Sequence, residues 1–262
     1  MRTLIVIPAR MGSWRFPNKP LVNILGLTMI EHVYHRAKKV SGVDAVVIAT
    51  CDNAVAEAAK KFGAEVVMTS QNCPTACERV AEAAFLKGYI GIDDIVINVQ
   101  GDEPVVPPQV IELTREKLLE NPTNMLANLV EPLHCQSDLT NHHRVKAILS
   151  INRNLLYLSR VAVPCTEFDI QKRTNFFLLT CITAYKGTFL QTYPKLARTP
   201  IELIEGNDMM RVLEHEIKIP SGISPYKTHP VDTPEDVKIV AEILKNDSLF
   251  KIYANKTQLG SE

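Results

Sequence analysis

An excess of charge of either sign is missing from this sequence: Lys and Arg total 29, and so do Asp and Glu. Nucleic-acid and membrane-surface proteins usually carry a basic excess, so neutrality argues against both and makes any anion site a local feature. Long apolar runs are missing too, with none approaching the ~20 residues of a membrane-spanning helix. Met1–Pro8 is too short and too early for a signal peptide, and the expectation is a cytoplasmic protein. The six cysteines (Cys51, Cys73, Cys77, Cys135, Cys165, Cys181) include no CxxC pair and no partner at zinc spacing, which sets aside a structural zinc. A disulfide framework is out of keeping with 262 residues in that compartment, which leaves small buried or half-buried thiols. His142 and His143 lie in a polar stretch, Thr140–Arg144, that reads as surface loop rather than metal site. Neither GxxxxGKS/T nor GxGxxG occurs, so a P-loop and a dinucleotide fingerprint are excluded.

What is present is an alternation of strand and helix. Ile5–Ile7 is apolar throughout, as a strand covered on both faces should be. Thr28 and Glu31 make a capping box ahead of Ile30, Val33, Tyr34, Ala37 and Val40, which recur at helical spacing. A second strand follows at Ala45–Ala49, then a helix capped by Asp52 and ending near Gly63. Glu65–Met68 is a short strand, Glu78 to Leu86 a helix and Asp94–Val99 a fourth strand, and Pro107 and Pro108 open a further helix. This order implies right-handed crossovers, a mainly parallel α/β sheet and helices on both faces. The second half is less regular. Asn124–Glu131, Val145–Ile151 and Phe176–Tyr185 read as strands around a turn at Asn152–Asn154, which suggests an antiparallel portion or an inserted lobe. Thr233 caps a last helix that Pro234 opens; beyond Asn246 the chain is polar and expected to fray.

Two loops stand out, both at carboxyl ends of strands, where ligands gather on such sheets. Ala9–Pro20 holds Arg10, Arg15 and Lys19 with almost no acid nearby. Cations so placed repel unless an anion sits among them, and a nucleoside triphosphate is the obvious guest. With Gly12 as its only glycine, the loop must hold phosphate through side-chain cations and exposed amides. Gln100–Pro104 carries Asp102, which can approach a triphosphate only through a metal; Mg²⁺ takes one or two carboxylates plus phosphate oxygens and waters. Asp102 comes first beyond the Gly101 turn, whereas Glu103 reads equally as a turn carboxylate. Asp232 supplies a second carboxylate just before the last helix and could complete a metal site with Asp102, although spacing alone does not bring the two together.

Taken in order, these segments resemble the 3-deoxy-manno-octulosonate cytidylyltransferases, the CMP-Kdo synthetases. Their motifs appear as Ile7–Arg10 with Ser13 to Pro20, as Asn98–Pro104, as Ser159–Pro164 and as Val231–Asp236, in register over nearly the whole chain. The resemblance implies a Rossmann-like nucleotidyltransferase sheet with a smaller antiparallel lobe. It implies one domain over residues 1–246, a lobe or dimerisation insert roughly within 130–200, and a C-terminal tail at 247–262. It further implies CMP transfer from CTP to an acidic acceptor with loss of pyrophosphate, and a homodimer. Arg10 and Lys19 would bind the triphosphate and stabilise the leaving group, assisted by Ser13 and Arg15. Asp102 and Asp232 would hold Mg²⁺, and Gln100 and Arg160 would bind substrate. Arg79 survives from the family's G-T-E-R, here Ala76-Cys77-Glu78-Arg79, and would meet the acceptor's acid. The family's sugar-contacting His and Tyr become Leu179 and Thr183, and its late Glu-Gln pair becomes Asp208 and Met209. A pocket built to hydrogen-bond a polyol is badly served by Leu and Met. Three readings therefore stand: a Kdo-type 3-deoxy sugar acid as acceptor, a different acid such as a modified sugar acid or a phosphonate, and a non-catalytic nucleotide-binding relative.

Overall fold

The computed structural model describes residues 1–12, 16–133, 136–163 and 177–259, with only the backbone of Gln136 and of residues 256–259. Ser13, Arg15, Cys135, Pro164, Cys165 and Phe176, all named above, lie outside the described residues. Its first half is the expected alternation: β1 (Arg2–Ala9), α1 (Met29–Ala37), β4 (Ala45–Thr50), α2 (Asn53–Lys61), β5 (Glu65–Met68), α3 (Ala76–Leu86), β6 (Asp94–Val99) and α4 (Pro108–Leu119). Between β1 and α1 a small hairpin intervenes, β2 (Asn23–Ile24) and β3 (Leu27–Thr28). β6, β1, β4 and β5 pair parallel in that spatial order. Leu4, Ile5, Val6 and Ile7 are all fully buried, which explains the unbroken apolar run. Leu4 and Val6 enter one core, with Val80 and Ala83 of α3; Ile5 and Ile7 enter the other, with Ile30 and Val33 of α1. Each such side chain contributes about 1.5–3 kcal/mol, so β1 anchors both layers.

The second half adds β7 (Leu126–Pro132), α5 (Gln136–Thr140), β8 (Lys146–Leu149), β9 (Leu155–Ser159) and β10 (Phe177–Lys186). Then come α6 (Gly187–Thr192), α7 (Pro200–Glu205), α8 (Met209–Glu214), β11 (Ser221–Ile223), α9 (Pro234–Lys245) and α10 (Ser248–Leu259). β10 runs antiparallel between β6 and β7, and the β8–β9 hairpin attaches to its end, giving the expected antiparallel portion. No helix among the described residues is long and apolar enough to cross a membrane.

Two local expectations need correction. Asp52 stands at the start of α2, but its carboxylate does not cap that helix; Oδ2 accepts the Met11 N–H at 2.7 Å and so fixes the start of the first loop. The segment after Asn246 does not fray: Ser248–Leu259 is helical, and Tyr253 is buried against His32. Phe250 and Tyr253, three apart, form the apolar face that a generally polar composition concealed.

Candidate active site

The first loop leaves β1 at Arg10, which is exposed. Asn18, in the left-handed region at φ 59°, then turns the chain into a short 3₁₀ turn, Lys19–Leu21. That turn aims Lys19 inward. Its Nζ donates to Asp102 Oδ2 at 2.7 Å and to Asp232 Oδ1 at 3.5 Å. Burial, the largest influence on this ammonium, works to lower its pKa, yet the two carboxylates together hold it above the ordinary lysine value. The convergence that spacing could not decide is therefore present: three residues from three distant segments meet at one nitrogen.

Backbone geometry enforces the meeting. The Val231 N–H donates to the Asp102 carbonyl at 2.9 Å, stitching the loop before α9 onto the loop after β6. Asp236 Oδ2 accepts the N–H groups of Asp232 and Thr233 at 2.9 and 2.8 Å, so the capping box of α9 also sets Asp232. At Gly101 a Cβ would lie 2.7 Å from the Pro8 carbonyl oxygen, so only glycine lets the Asp102 loop nest against the end of β1. Gly101→Ala should push the loop outward and cut turnover about 10- to 100-fold with the fold retained. Steady-state kinetics beside circular dichroism checks this; an unchanged kcat would show that close approach is not needed.

Glu103 separates cleanly from Asp102. It is fully buried, and burial pushes its carboxyl well above the usual range, so it adds no ordinary carboxylate to the site. Asp102 instead faces two adjoining cavities of about 480 and 310 Å³, and Arg10 and Gln100 line both with it. The smaller cavity adds Gly12, Lys19 and Arg79. The larger adds Asp232, Arg160, Leu179, Thr183, Asp208 and Met209. Arg79, expected at the acceptor end, thus belongs with the cations of the first loop; its Nη1 donates to Thr69 Oγ1 and to the Ser70 carbonyl. Asp208 receives the Cys77 N–H at 3.2 Å, supporting the start of α3, and burial raises its carboxyl pKa. Leu179 and Thr183 flank a shift of register between β10 and β7 and the chain between them, with Thr180 and Cys181, also lines the larger cavity.

Several residues of the larger cavity went unrecognised, His143 and Arg144 among them. Thr140–Arg144 reads as a surface loop in the sequence, yet Arg144 lines the larger cavity and pairs with Glu131. The available signal was Glu131 itself, an acid directly after the apolar pair Leu129 and Val130. The cysteines match expectation where described: Cys51, Cys73, Cys77 and Cys181 are free and none is fully exposed.

A parallel sheet whose carboxyl edge gathers a basic loop and two aspartates around a divided cavity defines a nucleotidyltransferase. The family described as Cytidylyltransferase matches residues 4–219, and this chain belongs to it. It is 38% identical to a 3-deoxy-manno-octulosonate cytidylyltransferase of Syntrophobacter fumaroxidans, over 95% of this chain and 99% of that one. It is 36% identical to an 8-amino-3,8-dideoxy-manno-octulosonate cytidylyltransferase of Shewanella pealeana, over 91% of this chain and 97% of that one. Among solved structures, a CMP:2-keto-3-deoxy-manno-octonic acid synthetase complexed with CTP matches with a TM-score of 0.84 and 31% identity, over 94% of this chain and 99% of that one.

Proposed function

We propose that this chain transfers CMP from CTP to a hydroxyl of a 3-deoxy-manno-octulosonate-type acid and releases pyrophosphate. The observation that carries this reading is the meeting of Lys19, Asp102 and Asp232 where the two cavities join. The acceptor hydroxyl gives its proton to solvent as its oxygen forms a bond to the α-phosphorus, the bond from that phosphorus to the bridging oxygen breaks, and the electron pair leaves with pyrophosphate. Such transfer depends on positioning and charge neutralisation more than on covalent help. Arg10, Lys19 and Arg79 line the cavity suited to the triphosphate, and Gln100 stands between it and the acceptor side.

A divalent cation fits the donor set. Two carboxylates, Asp102 and Asp232, converge on one ammonium at the edge of the cavities. That combination suits Mg²⁺, which completes its shell with phosphate oxygens and waters. Asp102 and Asp232 would hold it, and bound there it would supply neutralisation of the phosphate charge and polarisation of the α-phosphate.

Pyrophosphate release from CTP and Mg²⁺ across a panel of acids tests the proposal. Release with 3-deoxy-manno-octulosonate or its 8-amino analogue is expected. CTP binding without release for any acid would instead make the chain a non-catalytic relative. Release only with less hydroxylated acids or phosphonates would favour the second acceptor class, which the apolar Leu179 and Met209 in the larger cavity recommend. Arg79→Ala should raise the CTP KM about 10-fold and leave the acceptor KM unchanged. The reverse split would return Arg79 to the acceptor side. A homodimer belongs to the same reading. Along β9, Leu155 and Leu158 are core residues, whereas Leu156, 57% exposed, is open to a partner.

A further inference from the structure

Arg10, Arg144, Arg160 and Arg198 all line the larger cavity, and Arg160 and Arg144 differ in how much of their hydrogen-bonding capacity the protein has used. Arg160 donates from Nε to the Glu205 carbonyl (2.8 Å), from Nη1 to the His142 carbonyl (3.1 Å) and from Nη2 to the Gly206 carbonyl (3.3 Å). Each of its nitrogens is engaged with backbone, so this side chain ties the end of β9 to the end of α7 and to the loop before β8. Arg144 is different. Its guanidinium reaches Glu131 through Nη2. Among the described residues its Nε and Nη1 have no acceptor, and neither is sealed from solvent. Arginine has five N–H donors, so one two-pronged edge stays open whichever of them Glu131 takes.

The support beneath Arg144 is elaborate for a surface loop. Glu131 is fully buried on β7, and its Oε2 accepts the Thr228 N–H at 2.8 Å. A buried ion pair is seldom more stabilising than two apolar side chains of the same volume, so stability does not explain it. Lys146, also buried, donates from Nζ to the carbonyls of Asn141 (2.5 Å), Arg144 (2.9 Å) and Arg160 (3.0 Å). One ammonium thereby fixes the backbone of both arginines. What this arrangement achieves is a guanidinium held still, with donors to spare, in the cavity that also contains Asp102 and Asp232.

We propose that Arg144, seated on Glu131 and Lys146, receives the carboxylate of the acceptor. The inference rests on the CMP-transfer reading and moves the recognition of the acid from Arg160, each of whose three guanidinium nitrogens already donates to backbone, to Arg144. A planar guanidinium matches a carboxylate through two parallel hydrogen bonds, which a lysine cannot do.

Arg144→Ala leaves Glu131 buried without its partner and could unfold the chain. The paired variant Glu131→Gln/Arg144→Met removes both charges and keeps the test open. In either variant the KM for 3-deoxy-manno-octulosonate should rise about 10- to 100-fold while the KM for CTP stays put. Millimolar guanidinium chloride should restore part of the acceptor affinity of Arg144→Ala, which a purely structural role would not allow. An acceptor KM within about twofold of wild type in a folded paired variant overturns the assignment while leaving CMP transfer intact. A wild-type protein that releases no pyrophosphate with any sugar acid overturns the CMP-transfer reading and this assignment with it.

Discussion

Asp102→Asn should lower kcat by about 10³-fold or more, equal to about 4 kcal/mol of barrier, with little effect on the fold. The side chains are nearly isosteric, and the backbone contact that shapes the loop, Val231 N–H to the residue-102 carbonyl, does not involve the side chain. What disappears is the charge of the carboxylate that lines both cavities. Lys19 would keep Asp232 at 3.5 Å but lose its 2.7 Å carboxylate partner, and a cation joining the two aspartates to phosphate would lose half its protein ligands. Glu103→Gln is the matching control. Its carboxyl is fully buried and its pKa raised, so removing its charge should cost less than about threefold in kcat. The measurement is steady-state pyrophosphate release beside circular dichroism for both variants. Wild-type activity in Asp102→Asn would remove this residue from the metal site, and equal losses in the two variants would mean the loop acts as a unit.

The layout of the sheet was legible because its signals are local. The apolar run of β1, the helix caps at Thr28 and Thr233 and the proline start of α4 each depend on a few neighbouring residues. The site was legible only as separate pieces. Arg10, Lys19, Asp102 and Asp232 each look suggestive, but the bond that brings Asp232 to Asp102 is a single backbone contact between loops more than a hundred residues apart. The motif gives Arg79 as a residue type without its direction, and that direction, towards the cavity that Lys19 also lines, is set by Thr69 and Ser70 just beyond β5. Arg144 was missed for a related reason. A polar stretch looks solvated unless the acid beneath it, here Glu131 across the β7–β8 connection, is known to be buried. Asp52 shows the same limit in miniature: it holds the helix-start position, yet its carboxylate serves Met11.

Stability should fall as pH drops from 6.5 towards 4, because helix α10 seals His32 in its neutral form. The ring is fully buried and its two nitrogens have distinct duties. Nε2–H donates to the Ile24 carbonyl at 2.8 Å, which leaves Nδ1 to accept from the Tyr253 hydroxyl at 2.8 Å. Burial above all, with Arg36 and His35 adding repulsion, lowers the imidazole pKa to about 4 from an ordinary 6.5. In the unfolded chain the same ring takes a proton near 6.5. Between the two values unfolding therefore binds a proton, and stability declines with falling pH by about 1.4 kcal/mol per unit, about 3 kcal/mol in all. Above 6.5 neither state is protonated, and below 4 both are, so this group adds no slope in either range. Arg36 also pairs with Asp247 at the start of α10, so the helix and the histidine should respond together. Urea titrations at intervals across this window would show the slope in the wild type. His32→Gln should flatten it whatever its absolute stability, and truncation after Asn246 should flatten it as well by opening the ring to water. Parallel slopes in all three proteins would mean that α10 does not hold the histidine neutral, and the docking of this helix would have to rest on Phe250, Tyr253 and the Arg36–Asp247 pair.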